Sequence, residues 1–397
     1  HAVSTPDPFS ALVEQRHVLV CCGTGGVGKT TTAAVLALEG ARRGRRSVVV
    51  TIDPARRLAN TLGLDELSNE PHEIDRAQWD PAGDAPKSAS VSALMLDTKS
   101  TFDALVWKYA ATEEQAERIL ANRFYRNISG ALGGTQEYMA MEKLHELDED
   151  GSFDLIVVDT PPTRHALEFL DAPARLTRML DNRIFRLLMV PTRVYLRVAS
   201  VAVTSFLRTV SRVVGSEVID DIVSFFRAFE GMEEGFRSRA QGVQDLLADH
   251  STGFVLVTTP GRDAVEESSY FANELSEHDI GVAALVVNRI HPRFGTERPE
   301  GLRARAATLA GMAESDDPEV HAAATRLHAL YANLADFVEV AERELGHVAG
   351  VRERVGFAAV GYVPYLPRDV HDFEALEAVG RLLFGGSPSA VVEMDAG

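Results

Sequence analysis

Short apolar runs recur along the chain, each ending in a polar or glycine turn, and helical patterns separate them. The pattern predicts a buried strand over His17–Cys22, a helix over Lys29–Arg43 and a second strand over Ser47–Asp53. Further strands are predicted over Val91–Leu96, Phe153–Asp159, Gly253–Thr258, Val282–Asn288 and Phe357–Val363. Neighbouring strand residues point to opposite faces, so a run that is apolar at nearly every position leaves no face for water. Such strands, alternating with helices, specify an α/β fold: a doubly wound, mostly parallel sheet covered on both sides. Two helical stretches interrupt the alternation. Residues 166–249 hold no convincing strand and are predicted to be an α-helical insert within a single domain spanning 17–384. Residues 299–354 form a further helical segment, amphipathic and alternating in charge. The turn-rich stretch Asp75–Ser90 is predicted to be a surface loop.

Composition narrows the function classes. Hydrophobic residues at 45% are enough for such a core. A net charge of −18 speaks against a nucleic-acid partner, because phosphate neutralisation needs a basic surface. The one basic cluster, Ala41–Arg46, falls at a predicted helix end, where the dipole favours cations and water can solvate them. The only two cysteines, Cys21 and Cys22, are adjacent on a predicted strand and point apart. They make neither a zinc site nor an ordinary disulfide, and they fit a reducing compartment. With no long charge-free apolar stretch and no signal-peptide pattern before Val18, the predicted localisation is cytoplasmic, with peripheral attachment to a membrane kept open.

The strongest chemical signal is Gly23-Thr24-Gly25-Gly26-Val27-Gly28-Lys29-Thr30, which satisfies G-x-x-x-x-G-K-S/T between a predicted strand and a predicted helix. Glycines let backbone N–H groups turn inward around phosphate oxygens, and the helix start adds positive potential. This context predicts a P-loop NTPase. Lys29 is expected on the β and γ phosphates and the Thr30 hydroxyl on Mg²⁺. Asp53 leaves the second strand on the side where ligands bind, placed either to orient an attacking water or to cap the following helix. Asp159 ends the Phe153 strand in a Walker B arrangement and is expected to serve Mg²⁺. Pro161 and Pro162 then stiffen a loop suited to a nucleotide switch. His165 reads as a metal ligand or, as a lone histidine at a helix start, as structural.

These motifs together resemble a known group. GTGGVGKTT, which extends the site to Thr31, is similar to the deviant Walker A loop shared by ParA, MinD, nitrogenase iron protein, ArsA and Get3. DPARRLA from Asp53 and DTPPTRHALEFL from Asp159 resemble the two switches of the ArsA/Get3 family, in its bacterial branch. The resemblance covers about residues 17–384 and is weak in the helical insert. It implies ATP and Mg as ligands, an adenine contact by Asn288, and a base-covering loop at Pro364 and Tyr365. It also implies a lysine at position 24 that would reach a partner's nucleotide, where this chain has Thr24. Gly261 likewise stands where the family often has glutamate. The separated cysteines used for zinc, arsenite or an iron–sulfur cluster in various members are missing.

The resemblance therefore implies a Mg-dependent ATPase that cycles through nucleotide-controlled dimer closure, coupled to a hydrophobic membrane-protein client or a membrane partner. The apolar stretch Arg183–Val214, punctuated by arginines, reads as a client groove, as a face packed inside the insert, or as a membrane-surface helix. Thr24 keeps an alternative open: a weakly hydrolysing, nucleotide-gated subunit that forms a heterodimer with a paralogous ATPase rather than a homodimer.

Overall fold

The computed structural model describes residues 8–52, 57–64, 67–128, 135–161, 216–356 and 358–385, with residues 174, 177, 178 and 181. Eight strands form one sheet: β1 Val18–Cys22, β2 Arg46–Thr51, β3 His72–Glu73, β4 Ser90–Met95, β5 Leu155–Asp159, β6 Thr252–Thr258, β7 Val282–Ile290 and β8 Ala359–Pro364. Their spatial order is β3-β4-β2-β5-β1-β6-β7-β8. Every pairing is parallel except that of β3 with β4. All seven predicted strands are present within two residues of the predicted limits. The edge strand β3 is too short to leave a pattern.

Alternation along β1 explains the two-sided core. Val18, Val20 and Cys22 enter one apolar cluster, and Leu19 and Cys21 enter the other. On the second side lie helices Pro8–Gln15, Lys29–Arg42 and Phe373–Phe384; on the first lie Thr98–Tyr109, Glu233–Ala248 and the end of the 38-residue helix Pro318–Val355. Burial pushes both thiols up, Cys22 to about 12, so neither is a nucleophile.

Three sequence expectations change. Asp75–Ser90 is not simply a surface loop: it contains a helical turn, Arg76–Trp79, capped by Asp75, and Trp79 is fully buried in the second cluster. The basic cluster is only partly solvated and is paired as well. Arg42 and Arg43 pair with Glu39, while Arg45 donates to the Val13 carbonyl at 2.6 Å and Arg46 forks onto Asp154. Arg45 and Arg46 thereby tie the start of β2 to Asp154, the residue before β5. Within 216–249, Phe225, Phe229 and Phe236 pack in the same cluster as the strands, so this part of the predicted insert is continuous with the sheet core. Tyr125 stacks on Phe225 within that cluster.

Candidate functional site

The site lies beyond the carboxyl ends of the central strands, where a doubly wound sheet leaves a crevice. After β1 ends at Cys22, the loop Gly23–Gly28 runs into the helix that begins at Lys29. Two glycines are required by geometry. Gly28 is the helix N-cap at φ 101°, a conformation costly for other residues, and a Cβ there would collide with the Asn288 amide. A Cβ on Gly23 would strike the Val257 carbonyl of β6, so the loop passes directly against the sheet.

Lys29 is 6% exposed, and its ammonium folds back to donate to the Thr24 carbonyl at 2.8 Å. Beside it, the Thr30 hydroxyl donates to Asp159 Oδ2 at 2.7 Å. Register explains this contact. Asp159 is the last residue of β5, paired with Cys21 of β1 on one side and with Thr51 of β2 on the other. The Thr51 hydroxyl donates to the same Oδ2 at 3.0 Å. The next residue, Thr160, donates its hydroxyl to the Cys21 carbonyl at 2.7 Å, pinning the start of the second switch. Thr51 escaped the sequence reading, although a hydroxyl ending the run Val48-Val49-Val50 was a signal that could have found it.

A cleft of about 620 Å³ is lined by Gly25, Gly26, Lys29, Thr30, Asp159 and Arg289, among others. A second space of about 410 Å³ is lined by Asn288, Pro364, Tyr365 and Arg368, among others. Gly28, Thr31, Arg289, Val370 and His371 line both, so the two form a trough from the glycine loop to the segment after β8. Tyr365 is half exposed; its ring lies 4.8 Å from that of His291, and its N–H donates to the Ile290 carbonyl. Glu344 holds His291 at 2.8 Å.

The end of β7 braces the loop. Asn288 Nδ2 donates to the Val27 carbonyl at 2.8 Å, and Arg289 Nη1 donates to the Gly26 carbonyl at 3.1 Å. In a trans peptide the carbonyl and the following N–H point opposite ways. No peptide among the described residues is cis. These two bonds therefore aim the N–H groups of Val27 and Gly28 away from β7. Asn288, expected at adenine, lines the trough while its amide holds the loop. Arg289 was not singled out from sequence, since an arginine after a strand usually meets only water.

The structure thus brings together Gly23 through Thr31, Asp159, Asn288, Pro364 and Tyr365. Asp53, Pro162, His165 and Arg183–Val214 lie outside the described residues. Thr30 and Asp159 offer an alcohol and a carboxylate oxygen, a donor set that suits Mg²⁺, which typically takes one or two protein oxygens and completes its shell with phosphate and water. No group of three or more histidine, cysteine or carboxylate side chains suited to a metal occurs among the described residues. None of their helices is long and apolar enough to cross a membrane.

Residues 16–310 match the ArsA_ATPase family model, described as anion-transporting ATPase. The chain is 24% identical to "ATPase get3" of Aspergillus terreus over 278 residues, 69% of this chain and 74% of the relative. It is 24% identical to "ATPase ASNA1 homolog" of Entamoeba dispar over 278 residues, 68% of this chain and 75% of the relative. It is 28% identical to "ATPase GET3B" of Arabidopsis thaliana over 285 residues, 68% of this chain and 63% of the relative, just under two thirds of the plant protein. All three relatives are eukaryotic, so the expectation of a bacterial branch gains no support from them.

Proposed function

Because the chain belongs to the anion-transporting ATPase family, we propose that it binds Mg-ATP in the trough and hydrolyses it as an ArsA/Get3-type switch. The joint of Thr30 and Thr51 on Asp159 carries this reading, because it ties the glycine loop to the ends of β2 and β5, from which both switches depart. Lys29 holds the β and γ phosphates, trading its Thr24 carbonyl partner for them. The N–H groups of the Gly25–Thr31 segment supply the remaining phosphate donors. Thr30 and Asp159 would hold Mg²⁺, which when bound would supply charge neutralisation at the phosphoryl group. Asp53 orients the attacking water. Pro364 and Tyr365 cover the base, with the half-exposed Tyr365 ring as the stacking surface. Asn288 keeps its second amide hydrogen for adenine while the first holds Val27.

Mg-ATP closes a dimer and hydrolysis reopens it, and the motion acts on a hydrophobic membrane-protein client or a membrane partner. Relatives named get3 and GET3B, at 24% and 28% identity, support the ATPase class. The test uses the full chain: phosphate release with Mg or with chelator, and molecular mass with ADP, ATP and a transition-state mimic. Mg-dependent turnover lost in Lys29→Ala and Asp53→Asn, with retained ATP binding in the latter, is the expected result. Absence of ATP binding in the parent would sink the reading. Thr24 favours one second reading, a heterodimer whose paralogue supplies the missing lysine. Turnover by the pure chain unchanged on adding a paralogue counts against it.

A further inference from the structure

Position 24 carries no charge, so the cations at the phosphate end of the trough must come from other positions. Among the described residues lining that cleft, the permanent cations are Lys29 and Arg289. The placement of Arg289 is specific. The pairing of β7 with β8 shifts register between Asn288 and Ile290, which leaves Arg289 as an extra residue in the strand end. Its φ is 57°, one of two positive values at non-glycine residues among those described. An arginine rarely adopts that conformation unless the surroundings hold it there, and such residues cluster at ligand sites. The bulge carries the side chain back across the glycine loop, to the wall shared by both halves of the trough.

The electrostatics point the same way. The chain has 58 acidic residues against 40 Lys and Arg, and arginines across it pair with carboxylates, as Arg46 does with Asp154 and Arg303 with Asp336. Arg289 has no carboxylate within ion-pair distance among the described residues; its guanidinium donates to one neutral acceptor, the Gly26 carbonyl. A guanidinium offers five N–H donors in a planar fork that matches phosphate oxygens. Resting on Gly26 through Nη1, it keeps the rest of that fork for an anion in the cleft.

We infer that Arg289 is the second phosphate-binding cation of this site, supplied by the chain to its own nucleotide, where a lysine at position 24 would serve a partner's. This rests on the nucleotide reading above. Asn288 and Arg289 then have separate tasks at one strand end. Asn288 fixes the loop, and Arg289 fixes it loosely and binds polyphosphate.

The experiment measures ATP and ADP affinity by titration calorimetry at low and high salt for the parent, Arg289→Gln, Arg289→Lys and Asn288→Ala. Arg289→Gln removes a charge-assisted hydrogen bond to phosphate, which weakens ATP binding about tenfold or more and flattens its salt dependence. Arg289→Lys, which keeps the charge, recovers most of that affinity. Asn288→Ala keeps the salt dependence of the parent. ATP affinity within twofold of the parent in Arg289→Gln overturns the inference. So does an equal weakening in the Lys and Gln variants, which would mean loop geometry and not charge. A parent that binds no ATP fails at the earlier step, and the proposed function falls with it.

Discussion

Thr30, the second residue of the P-loop helix, and Asp159, the last residue of β5, meet at 2.7 Å although 129 residues separate them in sequence. Thr51 joins the same carboxylate oxygen from β2. The P-loop helix and the ends of two strands thereby converge on one carboxylate that is 1% exposed.

Removing that joint should separate nucleotide binding from metal use. Asp159→Asn should lower Mg-dependent turnover by about a hundredfold or more, the scale of losing one preorganised electrostatic partner. Thr51→Val, one shell further out, should cost less. Phosphate-release assays titrated with Mg check both; equal Mg dependence in Asp159→Asn and the parent would remove Asp159 from the metal site.

Gly28→Ala should be harmful twice over. It forces a non-glycine residue to φ 101° and drives a Cβ into the Asn288 amide that holds Val27. We expect about 1–3 kcal/mol of lost stability from the conformation alone. Adding Asn288→Ala should relieve the collision and leave the backbone cost. Urea unfolding of the single and double variants measures the split.

The helix layer over the first cluster contains a buried ion pair. Arg239 reaches Glu142, which is 1% exposed, and also Glu149 nearer the surface. Burial pushes the Glu142 carboxyl up despite the pull of Arg239. Arg239→Leu strands that carboxylate and should cost about 3–5 kcal/mol. Since a raised folded-state value means stability lost as the group ionises, the deficit should grow as pH rises above the ordinary 4.5. Arg239→Leu with Glu142→Leu should recover most of it. Denaturant midpoints across pH decide the matter.

Asp154 predicts the opposite limb. Hydrogen bonds from Arg46 hold its carboxyl down at about 2, against an ordinary 3.8. A depressed folded-state value gives stability that is present above the ordinary value and lost as pH falls through the folded one. The stability difference between parent and Asp154→Asn should be full above pH 3.8 and vanish towards pH 2. Its side chain is 40% exposed, so solvent screening keeps the difference small. A difference independent of pH would show that the Arg46 fork does not act through charge.

The legible part of the site was the part written in consecutive residues. The glycine loop, Lys29, Thr30 and the terminal carboxylate of β5 carry their placement in local order, because a strand, a tight turn and a helix start are local structures. Thr51 and Arg289 were illegible for the opposite reason. One acts through the register of β2 against β5, the other through a bulge that redirects a side chain. Neither register nor bulge follows from the pattern of one strand alone. The arginines after Ala41 misled in the same way: a helix end rich in cations looks solvated until Asp154, more than a hundred residues later, is placed beside it.

The sequence by itself determined the parallel sheet and the glycine loop, since periodicity and glycine spacing are properties of short segments. Only the tertiary structure decided that Asp159 collects Thr30 and Thr51, that Asn288 holds the loop while lining the trough, and that Arg289 reaches the glycine loop at the Gly26 carbonyl. Those relationships join strands far apart in the chain, and which side chains meet there is fixed by sheet order and register.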